Sequence, residues 1–334
     1  MHFVIRPILL SELPECKHCI RDRFLYDDDL VARLLKMWTY LLDRRMAIAS
    51  CLDDLTESAG TRIVMFGMIV FLDPDFAARV RAGRYPYVAK HLLTCWEDGD
   101  LPLLTAKQIA QANASNGLHL LNLHYGLAPS LWSDTAKRHE PLPMGREVLR
   151  HCEEFFYHNA SGFRLNEVLK EVYGPWDLAY SRGMHLVDRA SLGPALDRAG
   201  IRPSTDHFPH LTGLDSAEAS KMAGSLLGSL FLFEPPTCGF SPGEQELLLF
   251  ALGGSTDQEI AEALSVSFAA IRKRWESIFE KVDSLPVQPT RSHGCNAPVS
   301  HSITKRRSLV QYLQYHREEL RPWPSNASVC AGTH

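Results

Sequence analysis

Residues 240–282 read FSPGEQELLLFALGGSTDQEIAEALSVSFAAIRKRWESIFEKV, and the punctuation of this stretch decides how the C-terminal part folds. Pro242 stands at an early helical turn, where a missing N–H costs little. Glu246, Leu247, Leu249 and Phe250 carry that helix to Gly253-Gly254, which stops it. Thr256-Asp257-Gln258-Glu259 fits a capping box, in which hydroxyl and carboxylate each satisfy an orphan backbone N–H. Ile260, Ala261 and Leu264 then share one face, Ser265-Val266 makes a short turn, and Ser267 caps the next helix. In that helix Ile271, Trp275, Ile278 and Phe279 repeat at helical spacing and face inward. Arg272, Lys273 and Arg274 cannot all share that face, so at least two point outward. A short turn followed by a basic helix is the sequence pattern of a helix-turn-helix, whose second helix is able to enter a DNA groove.

These residues resemble the LuxR-type (GerE) DNA-binding domain. The matches are Ser241-Pro242, Glu244, Glu246-Leu247, Gly254, Thr256, Glu259-Ile260-Ala261, Leu264, Ser267, Ile271, Ile278 and Lys281-Val282. They span 43 of the 334 residues. The resemblance implies a transcription regulator that binds double-stranded DNA sequence-specifically in the major groove, with Thr256, Ser267, Arg272, Lys273 and Arg274 as the contact residues. Thr256 and Lys273 would meet phosphate, and Arg272 and Arg274 phosphate or a guanine edge. Which arginine reads bases stays open. Gln258, Ala270 and Arg274 depart from the lysine, threonine and histidine usual in the family.

The charge pattern agrees with a local DNA contact rather than a globally basic protein. The net charge is −4, while the residues from Phe240 onward hold equal numbers of basic and acidic side chains. Any affinity must therefore come from a patch. The eight cysteines, at 16, 19, 51, 95, 152, 238, 295 and 330, show no disulfide framework. The first ten residues are interrupted by Arg6 and Pro7, unlike a signal peptide, and the longest apolar runs fall short of the roughly 20 residues a membrane helix needs. A cytoplasmic protein with no membrane partner is expected.

Upstream, residues 20–60 have helical spacing at Leu30, Leu34, Leu35, Trp38, Leu41 and Leu42. Residues 61–72 form a buried strand, 76–82 begin a helix, 105–113 form a short helix capped by Thr105, and 117–127 form a second strand. Residues 145–172 read as helix, with Gly162 as a break, and 184–187 and 210–213 as weaker strands. The fold class is α+β, a mixed α/β N-terminal domain followed by an all-α helix-turn-helix domain. The expected divisions are 1–234 as sensor or scaffold, 235–283 as the DNA-binding domain, 284–304 as a flexible loop, 305–321 as a terminal helix and 322–334 as a loose tail. The stripe of Leu309, Tyr312, Leu313 and Leu320 packs either on its own domain or on a second copy in a homodimer.

The order of elements in residues 1–234 is similar to the GNAT acetyltransferase fold. That resemblance implies acetyl-CoA binding through a glycine-rich loop after the long strand. Here Leu72 is followed by D-P-D-F-A-A-R-V-R-A-G-R-Y-P, which has no such loop. The domain is therefore expected to sense an unknown small-molecule effector or to scaffold, with no catalytic residue and no cofactor. An acyl-CoA-dependent acetyltransferase fused to a DNA-binding module is the alternative. Cys16-Lys17-His18-Cys19 has the spacing of half a zinc site, without a second pair, so no metal is expected. His119 and His124, five residues apart in one strand, are expected on opposite faces.

Overall fold

The computed structural model describes residues 3–20, 27–57, 62–128, 152–173, 183–222, 224–285 and 302–324. The chain divides into two compact units, Met1–Ala160 with Arg164–Phe231, and Ser161–Phe163 with Leu232–His334.

The first unit is a mixed α/β fold. Its strands are β1 (Phe3–Pro7), β2 (Ala47–Asp54), β3 (Ile63–Leu72), β4 (Leu118–Leu127), β5 (Leu165–Tyr173), β6 (His185–Leu186) and β7 (Pro209–Asp215). They form one seven-stranded sheet in the order β1-β2-β3-β4-β5-β7-β6. Every neighbouring pair is antiparallel except β4 with β5. Its helices of more than one turn are α1 (Asp28–Asp43), α2 (Pro74–Arg81), α3 (Val88–Glu97), α4 (Ala106–Ala114), α5 (Cys152–Ala160) and α6 (Leu192–Arg198). A parallel pair needs a crossover, and α5 lies in the connection from β4 to β5.

All ten residues of β3 are buried, which explains a sequence apolar throughout rather than alternating. On one face Phe66 meets Trp38 of α1, ring centroids 5.4 Å apart. On the other, Gly67 admits α5. A Cβ there would lie 2.6 Å from Phe155, so glycine is required for this approach.

Three expectations for this unit are corrected. Among the described residues of 20–60 the helical reading holds for α1, but Ala47–Asp54 is β2. The helix is ended by Arg45 in the left-handed region, φ 54°, with Met46 N–H donating to Leu41 O at 2.8 Å. No glycine marks that stop in the sequence. Among the described residues of 145–172 the helical reading holds for α5, but Leu165–Tyr173 is β5. Leu165, Val168, Leu169 and Val172 recur at helical intervals, yet the strand is covered on both faces and its Glu167 is buried and charge-paired. Third, His119 and His124 share a face. They oppose Leu72 and Met68 of β3, and a bulge at Leu123 resets the alternation between them.

The second unit contains α7 (Pro242–Leu252), α8 (Asp257–Ala263), α9 (Phe268–Asp283) and α10 (Ser302–Tyr315), followed by a 3-10 turn, Arg317–Leu320. Of the terminal apolar stripe, Leu309, Leu313 and Leu320 are buried and Tyr312 is half-buried. The expected loop at 284–304 and the tail at 322–334 fall mostly outside the described residues.

Candidate functional site

The helices of the second unit begin and end on local signals. Ser241 caps α7, and Glu244 reaches back to the Ser241 N–H at 2.6 Å. Glu244 is buried, and it also accepts from Lys281 Nζ at 2.6 Å and Ser277 Oγ at 2.8 Å. Burial alone would raise its pKa, but these donors hold it below the usual carboxylate value. One carboxylate thus pins the start of α7 to the last turns of α9. Thr256 and Glu259 complete the capping box of α8, and the Ser267 hydroxyl caps α9 through the Ala270 N–H at 3.2 Å.

The turn between α8 and α9 is a Schellman motif. Val266 N–H donates to Ala261 O at 2.9 Å, and Ser265 N–H to Glu262 O at 3.1 Å. Ser265 occupies the left-handed position, φ 52°, where glycine is usual. Ile271, Trp275, Ile278 and Val282 of α9 are buried, as are Ile260 and Ala261 of α8. Asp257, at the start of α8, accepts from Trp275 Nε1 at 3.0 Å and from Arg306 Nη1 of α10 at 2.5 Å. The Arg306 guanidinium lies 4.7 Å above the Trp275 ring. The α8–α9 angle is thereby clamped from a third helix.

Each sequence-predicted contact residue has a definite place. Thr256 is exposed, but its hydroxyl donates to Glu259 at 2.9 Å and accepts the Glu259 N–H, so it is occupied by the cap. Ser267 is exposed beside the start of α9. Arg272 and Lys273 are exposed and make no ion pair or hydrogen bond with a described residue. Arg274 is half-buried, and its Nη1 donates to Gly243 O of α7 at 3.4 Å. The two arginines that the sequence left equivalent are therefore different: Arg272 faces outward and Arg274 turns to α7.

Sequence reasoning missed Phe268. It is the first residue of α9 and is 47% exposed. Helical spacing sets it at the edge of the Ile271–Trp275 stripe, yet nearly half of its surface is exposed. Ala269, also exposed, lies beside it. Glu276 and Glu280 are exposed further along the helix, so positive charge on the outward face is confined to its first two turns.

The first unit offers a second feature. Pairing of β4 with β5 runs from Leu118↔Leu165 to Asn122↔Lys170. Beyond it β4 continues to Leu127 beside β3, and β5 to Tyr173 beside β7, without pairing with each other. The carboxyl ends of parallel strands, where a crossover begins, are the usual ligand side of such sheets. The glycine-rich loop implied by the GNAT resemblance would follow Leu72, at the end of β3. There, Asp73 already accepts the Asp75 and Phe76 N–H groups, at 3.0 and 3.3 Å, and fills the start of α2. The crossover leaves from β4, and residues 129–151 lie outside the described residues.

Near this pair the buried charges are matched. Glu167 takes His119 Nδ1 at 2.7 Å and Arg81 Nη1 at 2.8 Å. Glu171 takes Arg189 at 3.0 Å and the Val88 N–H at the start of α3 at 2.7 Å. His124 lies 5.0 Å from Trp38 and 5.6 Å from Phe66, ring to ring, and burial pushes its pKa down to about 4. The Cys16 and Cys19 thiols are buried, and burial pushes Cys19 up to about 12. Among the described residues no group of three side chains is placed to hold a metal ion, and no helix is long and apolar enough to cross a membrane.

No family model matches the chain, and no curated protein sequence matches it. Among solved structures it is similar to a spermidine N-acetyltransferase SpeG chimera from Vibrio cholerae and hSSAT, at 6% identity and a TM-score of 0.33, over 67% of this chain and 99% of that one. It is also similar to the dodecameric spermidine N-acetyltransferase from Vibrio cholerae, at 8% identity and a TM-score of 0.31, over 66% of this chain and 98% of that one. At these TM-scores the likeness says nothing about activity.

Proposed function

We propose that the chain is a DNA-binding transcription regulator whose α9 enters the major groove. The observation that carries this reading is the outward face of the first two turns of α9. Arg272 and Lys273 stand there exposed, with no ion pair or hydrogen bond to a described residue, while Ile271 and Trp275 are buried. The Schellman turn and the Asp257–Trp275–Arg306 cluster fix the presenting angle. Phosphate contacts position such a helix and base contacts specify its site. Lys273 and the Ser267 hydroxyl are assigned to phosphate and Arg272 to base edges. A homodimer through the terminal helix, the usual way to read two half-sites, would use the exposed side of α10, where Tyr315 is 78% exposed, because Leu309 and Leu313 are covered. Duplexes selected from a random pool by the full-length protein are expected to converge on one sequence; a pool that stays random after repeated rounds would rule out sequence-specific recognition.

A second reading concerns the first unit. The opening between the carboxyl ends of β4 and β5 favours a ligand there, and a GNAT-like domain would place an acyl-CoA in that position. Titration calorimetry with acetyl-CoA tests it. Binding near micromolar, about −8 kcal/mol, supports an acyltransferase or acyl-CoA sensor, and no heat at millimolar ligand removes this reading.

A further inference from the structure

We infer that Phe268, Ala269 and Arg272 form the base-reading set of α9, and that the preferred site pairs a thymine methyl with a neighbouring guanine. This rests on the DNA-binding reading above. Phe268 is a large apolar side chain left 47% exposed at the first position of a sixteen-residue helix, an exposure that costs free energy until a partner covers it. Ala269 beside it is small and exposed. Residues four apart share a stripe, so Arg272 stands one turn behind Phe268 on the same line. In the major groove, apolar side chains meet the thymine C5 methyl, and arginine bonds guanine O6 and N7. The N-terminal residues of a recognition helix are those that reach base edges.

The neighbouring groups limit the set. Arg274 is turned to Gly243 and does not reach outward. Glu276 follows Arg272 by one turn, and Glu280 follows it by one more, both exposed. Their charge opposes the phosphate backbone, so the helix enters by its first two turns rather than along its whole length. Lys273 stands four residues after Ala269, at the edge of the set, and keeps the phosphate role assigned above.

The test uses the full-length protein and the duplex it selects. Each thymine in the site is replaced in turn by deoxyuridine, which removes only the methyl group. At one position the wild-type protein is expected to lose three- to tenfold in affinity, and Phe268→Ala to lose nothing further there. Arg272→Ala is expected to lose discrimination at the adjacent guanine by tenfold or more, while Arg274→Ala keeps it. Phe268 carries no charge, so Phe268→Ala should leave the salt dependence unchanged, which separates a base contact from a loss of folding. Indifference of the wild-type protein to every deoxyuridine overturns the thymine assignment and leaves DNA binding standing. Absence of any selected duplex overturns both, and exposed Phe268 then belongs to a protein contact.

Discussion

Replacing Arg306 with alanine should loosen the α8–α9 pair by about 2 kcal/mol. Its guanidinium gives one charged hydrogen bond to Asp257, one to Ser255 O at 3.1 Å, and a stacking contact with Trp275. The side chains of the ion pair are 29% and 26% exposed, so the charge term is nearer to a surface pair, about 0.5–1 kcal/mol. The bond to Ser255 adds about 1 kcal/mol and the cation–π contact about 0.5–1. The three share one group and do not add fully. Asp257 keeps its bond from Trp275 Nε1 in the variant, so no carboxylate is stranded and the cost stays moderate. The two units need not unfold together, so a single melting curve is a poor readout. Native-state hydrogen exchange of the full-length protein resolves them. Amides of α8 and α9 should exchange roughly 30-fold faster, those of β3 and β4 unchanged. Arg306→Lys should restore part of the ion pair but not the stacking. Exchange in α8 and α9 within twofold of wild type would refute the clamp.

Three other outcomes follow from the packing. Gly162→Ala should destabilise by about 3 kcal/mol, since φ is +80° and a Cβ would lie 2.4 Å from Arg317 C and Glu318 N; an unchanged denaturant midpoint for the second unit would contradict this. Ser265→Gly should gain a few tenths to 1 kcal/mol by relieving a left-handed serine, read as slower exchange at the α8–α9 turn. His124 has a folded pKa of about 4, below its unfolded value near 6.5, so its contribution is complete above pH 6.5 and is lost as pH falls toward 4. Between pH 7 and 5 the wild-type protein should lose about 2 kcal/mol more urea stability than His124→Phe, and equal losses would show that His124 titrates normally.

The elements legible in the sequence are those with local causes. Ser241 with Glu244, Thr256 with Glu259, and Ser267 are caps whose partners lie three residues away, so the helices around them could be read directly. The readings that failed depended on distant partners. Glu167 reads as a surface helix residue until Arg81 and His119 are brought to it from two other elements. Arg45 ends α1 without a glycine, through backbone bonds that any residue can make once the chain turns into β2. The shared face of His119 and His124 depends on a one-residue bulge against β3, which leaves no trace in spacing. Arg272 and Arg274 separate only when α7 supplies Gly243. Phe268 lies between the buried stripe and the Arg272 line, so its spacing does not distinguish it from a core residue.

The central claim is that α9 grips DNA through Arg272 and Lys273, and fluorescence anisotropy of a labelled duplex titrated with full-length protein across a salt series tests it most directly. Binding should weaken steeply with salt, each phosphate contact contributing about −0.9 to the slope of log K against log salt. Lys273→Ala should make that slope shallower by about one such step, and the double variant Arg272→Ala with Lys273→Ala should bind at least a hundredfold more weakly while its α9 amides stay protected. Wild-type protein that binds no duplex at low salt, or a folded double variant that binds as well as wild type with the same slope, would contradict the account.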